Sequence, residues 1–206
     1  MDKICVLHSG GMDSTCVILW YLSRHYDIQT IYIDYGQATA PTEWKYCKLL
    51  TRLLHLPGPV KITGELNHLI KSHSLISGKK KKYSEECLIN NFLDEFFPNR
   101  NLYLLTLASI YCFQNNINEI ALGIIDGGEF SYTDTNAGFL RKANSLFSHT
   151  LNIEVKAPLI KWDKQHVVQY LKSNNMPVEN TYSCNIQNIK PCGKCAGCIE
   201  RNLSLN

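Results

Sequence analysis

The chain has 206 residues, 45% of them hydrophobic and 19% charged, with a formal net charge of +3. That apolar content suits one sizeable core, and a single domain over residues 1–206 is expected. A charge this mild, at a sequence pI near 8.3, does not by itself argue for nucleic-acid binding. The opening Met1-Asp2-Lys3 leads into an apolar run too short for a signal peptide. No stretch approaches the about 18 apolar residues of a membrane span. A soluble, cytoplasmic protein with no membrane partner is therefore expected.

In chain order, apolar strand runs are predicted at residues 4–7, 30–33, 60–62 and 120–124. Helices are predicted at 13–23, 42–54, 102–114 and 163–173. In the second helix Trp44, Cys47, Leu50, Leu53 and Leu54 follow a helical period, and Asp163 is placed to cap the last. Alternation of strands and helices predicts a mainly parallel sheet covered on both faces. Ligands of such sheets bind beyond the carboxyl ends of the strands. Segments 9–14, 34–37 and 123–129 should therefore gather around one crevice. The stretch 67–100 is less regular. Its Lys79-Lys80-Lys81-Lys82 run reads as a solvated loop, with contact to nucleic acid or an acidic partner as the alternative.

The first strand opens into Ser9-Gly10-Gly11-Met12-Asp13-Ser14 and then a helix. Strand, glycine turn and helix N-terminus form an anion cradle. Glycine lets backbone N–H groups approach a phosphate, and the helix end adds partial positive charge. Asp13 and Ser14 could cap the helix or touch a metal or phosphate oxygen. The spacing is neither that of a Walker loop nor G-x-G-x-x-G.

Nine cysteines in such a chain read as metal ligands or free thiols before disulfides. Cys5, Cys16 and Cys112 lie in apolar runs and are expected to be buried small hydrophobes. Cys184, Cys192, Cys195 and Cys198 have the spacing C-x7-C-x2-C-x2-C. Four thiolates satisfy tetrahedral zinc with no open position. An iron–sulfur cluster, disulfides and free thiols are the alternatives. Gly193 and Gly197 would supply tight turns, and Lys190, Lys194 and Arg201 would offset thiolate charge. Residues 180–206 are thus expected to form a zinc-binding C-terminal module.

The Ser9–Ser14 loop resembles the SGGxDS loop of the ATP pyrophosphatase (PP-loop) superfamily, whose members cleave ATP between the α and β phosphates. Further matches are His8, Thr15, Asp34-Tyr35-Gly36-Gln37, Pro98-Asn99-Arg100-Asn101, Pro158-Leu159 with Lys164, and the four-cysteine tail from Cys184 through Arg201. Together they resemble the 7-cyano-7-deazaguanine synthase (QueC) family over nearly the whole chain. The resemblance implies a Rossmann-like α/β fold and an ATP-dependent ligase of queuosine biosynthesis. Such an enzyme converts 7-carboxy-7-deazaguanine with ammonia to an amide and then a nitrile. It also implies ATP, Mg²⁺, one structural Zn²⁺ per chain and a homodimer.

On this resemblance Ser9, Asp13, Ser14 and Arg100 are the expected catalytic residues. His8 through Ser14, Asp34 through Gln37 and Gly123 are expected around the nucleotide. Arg100, Asp126, Glu129, Tyr132, Asp134 and Asn136 are expected around the substrate, since a deazaguanine edge with two N–H donors calls for a carboxylate. An aromatic contact for the base would suit Tyr132 or Phe130. The family's G-Y-P-D-C-R loop is here Ser131-Tyr132-Thr133-Asp134-Thr135-Asn136. Loss of that arginine raises an alternative, a phage-defence relative that joins a deazaguanine acid to a protein amine. Asn136 could equally cap a helix starting near Ala137. A PP-loop tRNA-modifying enzyme is a third reading. A zinc module on a dead nucleotide fold would predict a damaged loop, which is not seen.

Overall fold

A computed structural model describes residues 2–66, 74–78, 88–89, 92–93, 96–125, 132–186 and 190–205. Asp126, Glu129, Phe130, Cys87 and the Lys79–Lys82 run lie outside them. The elements run β1 (Lys3–Leu7), α1 (Met12–Leu22), β2 (Asp27–Asp34), α2 (Ala40–Leu53), β3 (Val60–Thr63), α3 (Ser74–Ser77), β4 (Leu88–Ile89) and β5 (Phe92–Leu93). They continue with α4 (Arg100–Gln114), β6 (Glu119–Ala121), α5 (Ala137–Leu151), β7 (Glu154–Lys156), α6 (Lys164–Ser173) and α7 (Ala196–Leu205).

Five strands pair in the order β3-β2-β1-β6-β7, all parallel. The chain steps outward from β1 through β2 to β3, then returns to the other side of β1 for β6 and β7. That reversal opens a crevice at the carboxyl ends of β1 and β6, where adjacent connections leave in opposite directions. β1 is the central strand, and its Ile4, Cys5 and Val6 are fully buried. One sheet face packs Ile4 and Val6 with residues of α1, α2 and α6, and the other packs Cys5, Ile31 and Ile120 with α4 and α5. The buried positions of Cys5, Cys16 and Cys112 follow from these two layers. Trp20 of α1 meets Trp162 edge-on at 5.6 Å, and Trp162 meets Tyr170 at 5.3 Å. This wedge holds the start of α6 beside α1.

Three differences from the sequence reading have local causes. The fourth predicted strand, β6, stops at Ala121 instead of reaching residue 124, because its neighbour β7 ends at Lys156, whose carbonyl takes the Leu122 N–H at 3.1 Å. Strand β7 escaped detection because Glu154-Val155-Lys156 offers one apolar residue. Its Val155 N–H is taken by Asn144 Oδ1 of α5 at 2.7 Å. Helix α7 was hidden behind its cysteines and glycine, and Gly197 belongs to its first turn, not to a tight turn. A Cβ there would run into the Ser183 carbonyl.

Gly123, just past β6, has a similar constraint. A Cβ would lie 2.8 Å from the Asp13 carbonyl carbon and 2.9 Å from the Ser14 nitrogen, both backbone atoms. Gly123→Ala should therefore lower stability by about 1–3 kcal/mol in urea unfolding. Gly58→Ala, with open space around it, should stay within about 0.5 kcal/mol of the parent.

Candidate active site

The loop after β1 is held from both ends. Gly10 has φ +77°, and a Cβ there would lie 2.8 Å from Tyr46 Cβ and 3.0 Å from the Glu43 carbonyl oxygen. Only glycine meets both demands. Gly11 is the N-cap of α1, and its carbonyl accepts from Ser14 Oγ (3.2 Å) and Thr15 Oγ1 (2.7 Å). Ser9 N–H donates to Ser14 Oγ at 3.3 Å. His8 lies behind the loop, with Nδ1 3.1 Å from Ser14 Oγ. Its Nε2 has no hydrogen-bond partner among the described residues. Burial pushes the imidazole down to about 3, so it is neutral near pH 7.

Asp13 does not cap α1. Its carboxylate accepts from Lys164 Nζ with both oxygens, at 3.0 and 2.7 Å, and Glu200 of α7 stands 3.5 Å from the same nitrogen. Burial opposes the ammonium charge, but the two carboxylates more than restore it, so Lys164 titrates above the usual lysine range. Asp163 caps α6 by accepting from His166 N–H at 2.8 Å, which fixes Lys164 in the first turn.

The opposite wall begins at β2. Gln37 is buried; its Oε1 accepts from Tyr35 N–H (2.9 Å), and its Nε2 donates to Tyr32 Oη (2.9 Å) and Glu43 Oε2 (2.8 Å). Glu43 also accepts from Tyr32 and Thr39 hydroxyls. Burial raises its carboxyl above the usual range, while those donors and Arg100 work against the rise. Burial takes Tyr35 up to about 12, although the hydrogen-bonded Arg100 pulls the other way. For Arg100 itself burial disfavours the cation, yet Tyr35, Asp134 and Tyr132 hold it above its ordinary value. Asp34 is turned away to Lys61 (2.8 Å) and to the N–H of Gly36.

These groups surround a crevice of about 690 Å³, within the size range of small-molecule sites. Of the residues expected around ATP, His8, Ser9, Gly11 through Ser14, Tyr35, Gln37 and Gly123 line it. Gly10, Asp34 and Gly36 shape the turns behind it. Arg100 and Tyr132 also line it, and Tyr132 is stacked on Phe96 with ring centres 5.5 Å apart. Asp134 is absorbed elsewhere: its carboxylate accepts from Asn101 N–H (3.1 Å), while its own carbonyl accepts from Asn101 Nδ2 (2.8 Å). It thereby satisfies a free N–H at the start of α4. Asn136 caps α5, Oδ1 accepting from Phe139 N–H at 2.9 Å and Nδ2 donating to the Thr133 carbonyl. Neither Asp134 nor Asn136 is a crevice wall. Glu43, Lys164 and Glu200 are crevice-lining groups that the sequence reading did not assign to the site. Lys164 and Glu200 both fall within the segments that match the family, but no site role was attached to them; Glu43 carried no signal.

The four cysteines converge as the spacing predicted. All their sulfurs lie within 4.8 Å of one another, and Cys184–Cys195 and Cys192–Cys198 are each 4.0 Å apart. Metal–sulfur bonds of about 2.3 Å in a tetrahedron imply an edge of about 3.8 Å, so the group could hold one metal ion. Backbone N–H groups of Asn185 (to Cys195), Cys192 (to Cys184) and Lys194 (to Cys192) point at sulfurs at 3.3–3.4 Å, as thiolates require. Gly193, at φ +70°, makes the turn. The Arg201 guanidinium binds Val178 and Thr181 carbonyls and the Thr181 and Ser183 hydroxyls, and it lies close enough to Cys198 for the sulfur to favour its charge. Tyr182 N–H, two residues before the first of the four cysteines, donates to the Gly10 carbonyl at 2.9 Å. The cysteine-bearing tail is therefore bonded directly to the glycine loop.

Among solved structures, the chain is similar to a 4-thiouridine synthetase–RNA complex with bound ATP. The TM-score is 0.55 at 17% identity, covering 99% of this chain and 50% of that one. It is also similar to a U34-tRNA thiolase from Methanococcus maripaludis that holds a 4Fe–4S cluster (TM-score 0.50, 10% identity, 100% and 67% coverage). At such identities the likeness concerns the fold. In sequence it is 31% identical to 7-cyano-7-deazaguanine synthase 1 of Desulfitobacterium hafniense, covering 99% of this chain and 91% of that protein. It is 30% identical to the 7-cyano-7-deazaguanine synthase of Buchnera aphidicola over 100% of this chain and 91% of the relative. Relatives of this kind are named as synthases, and the chain is an enzyme. Residues 3–206 match the family profile described as queuosine biosynthesis protein QueC; with the PP-loop crevice and the four-cysteine tail in place, the chain belongs to the QueC family.

Proposed function

We propose that this chain is an ATP-dependent carbon–nitrogen ligase that makes 7-cyano-7-deazaguanine from 7-carboxy-7-deazaguanine and ammonia through the amide. The observation that carries this reading is the glycine loop at the strand-order reversal, facing Lys164 and Arg100 across one crevice, in a chain of the QueC family. A carboxylate cannot lose oxygen to an amine near neutral pH until that oxygen becomes a leaving group. Attack of the carboxylate on the α-phosphate of ATP gives an acyl adenylate and pyrophosphate. Ammonia displaces AMP to give the amide. A second adenylation, on the amide oxygen, lets AMP and a proton leave as the nitrile forms. Two ATP are consumed, and no covalent enzyme nucleophile is needed.

In this reading the loop N–H groups and the N-terminus of α1 bind the phosphates. Ser9 and Ser14 offer hydroxyls, and Lys164 and Arg100 neutralise charge developing on pyrophosphate and on the substrate carboxylate. Asp13 is the carboxylate that would hold Mg²⁺, giving up an oxygen now on Lys164, and the ion would supply charge neutralisation to the phosphates. Glu43 fixes the Tyr32, Gln37 and Thr39 donors of the opposite wall. Residues 180–206 act as a module that walls the crevice. The four cysteines suit zinc: sulfurs this close fit one metal ion, whereas a four-iron cube binds each thiolate to a different iron and spreads them further. Zinc there would supply a cross-link and no chemistry.

The alternative of conjugation to a protein amine rested on Asn136, and helix capping accounts for that residue. Asn136→Arg should cost about 1 kcal/mol of stability through loss of the cap, with an unchanged product. A change in acceptor or product measured by mass spectrometry would reinstate the alternative.

Purified protein given 7-carboxy-7-deazaguanine, ATP, Mg²⁺ and ammonium should yield the nitrile with two AMP each, read by mass spectrometry. Asp13→Ala should slow AMP release by about a hundredfold or more. Product that stops at the amide, or full turnover in Asp13→Ala, would overturn the corresponding step. Metal analysis of the same protein should find about one zinc per chain; stoichiometric iron after anaerobic purification would overturn the zinc assignment.

A further inference from the structure

Lys164 stands between two carboxylates from different parts of the chain. Asp13 binds it with both oxygens, while Glu200 Oε2 is 3.5 Å away. The three side chains are mostly enclosed, at 22%, 28% and 22% exposure for Lys164, Asp13 and Glu200. Glu200 lies on α7, two residues after Cys198 and next to Arg201. Arg201 fastens α7 to the Val178–Ser183 segment, and that segment is itself bonded to Gly10. Glu200 therefore reaches Lys164 from a helix fixed at one end by the cysteine cluster and along its side by the Arg201 clasp.

The three-membered arrangement has a consequence for turnover. If Asp13 serves a divalent cation, it can no longer give both oxygens to Lys164. An ammonium on a flexible four-carbon stem would then be free to follow solvent. A second carboxylate on a rigid helix keeps it at the phosphate side of the crevice while Asp13 changes partner. We propose that Glu200 is a positioning residue that holds Lys164 in the crevice, so that the cysteine-bearing tail contributes to ATP cleavage through a side chain and not only as a wall. This rests on the ATP reading of the loop given above. The order of effects decides it against a purely electrostatic role. A carboxylate that merely repels ATP would, when removed, tighten ATP binding and leave turnover intact. A carboxylate that positions Lys164 would, when removed, slow the step that needs the cation.

The experiment is a double-substitution cycle with Glu200→Gln, Lys164→Ala and the pair. ATP–Mg²⁺ binding is followed by calorimetry, AMP release in the complete reaction by steady-state kinetics, and zinc content and thermal midpoint as controls. Glu200→Gln, nearly isosteric, is expected to lower kcat for AMP release about tenfold with the ATP Kd changed less than about threefold. In the Lys164→Ala background the same substitution should change kcat less than about twofold, since nothing is left to position. If Glu200→Gln loses metal or midpoint, Glu200→Asp carries the test. It keeps the charge but withdraws it by one methylene, and should give an intermediate kcat, lost again in the Lys164→Ala background. Equal effects with and without Lys164, or tighter ATP binding with full turnover, would overturn the positioning role. A parent protein that neither binds nor cleaves ATP would overturn the loop reading together with it.

Discussion

The ion pair between Asp13 and Lys164 joins residues 151 positions apart and fixes how the site is assembled. Asp13 belongs to the first turn after the glycine loop, Lys164 to the first turn of α6, and both turns are set by local means: the Gly10–Gly11 backbone and the Asp163 cap. Each charge is partly withdrawn from water and Glu200 gives Lys164 a second carboxylate, so the contact is screened less than one on the open surface. The Trp20–Trp162–Tyr170 wedge packs α1 against the start of α6 beside the ion pair. Apolar packing thus positions an electrostatic contact that could not position itself, because exposed ion pairs alone contribute little.

The same loop is approached from two further directions by backbone alone. Gly123 passes so close to Asp13 and Ser14 that no side chain fits between, and Tyr182 N–H reaches the Gly10 carbonyl. Oriented N–H groups stabilise an anion best when they need not reorganise. A loop clamped by β6, α2 and the C-terminal segment meets that condition. The four-cysteine cluster stands at the end of the third clamp, so the segment that carries it also holds the glycine loop.

The wall opposite Lys164 has a different character. Tyr32, Gln37, Thr39 and Glu43 form a closed set of hydrogen bonds in which Gln37 uses both ends of its amide. Such a network holds its members in one arrangement because every unmade bond would leave a buried polar group unpaired. Arg100, tied to Tyr35, balances the buried acid across the crevice. The crevice therefore presents cation on the loop side and a fixed donor–acceptor surface on the β2 side, as a ligand with a phosphate end and a base end requires.

Much of this was legible in the residue order because its causes are local. The glycine loop needs particular backbone angles within six residues, the cysteine pairs need short spacings, and α1, α2, α4 and α6 show themselves by periodicity or caps. Three-residue β7 and the cysteine-led α7 fell below any periodic signal. The charged residues of the site divide along the same line. Asp134 was expected at the substrate from its place after a strand, and Asn136 from its place in the family's loop with a helix cap as the alternative; each completes a helix start, at α4 and α5. Glu43 and Glu200 had no site role in the sequence, yet both line the crevice. By itself the sequence determined the glycine loop, the four-cysteine group and the alternating α/β order, since each depends on neighbours a few positions away. Only the tertiary structure decided which acids face the crevice and which cap helices, because that depends on the reversal of strand order around β1, which brings together side chains more than a hundred residues apart.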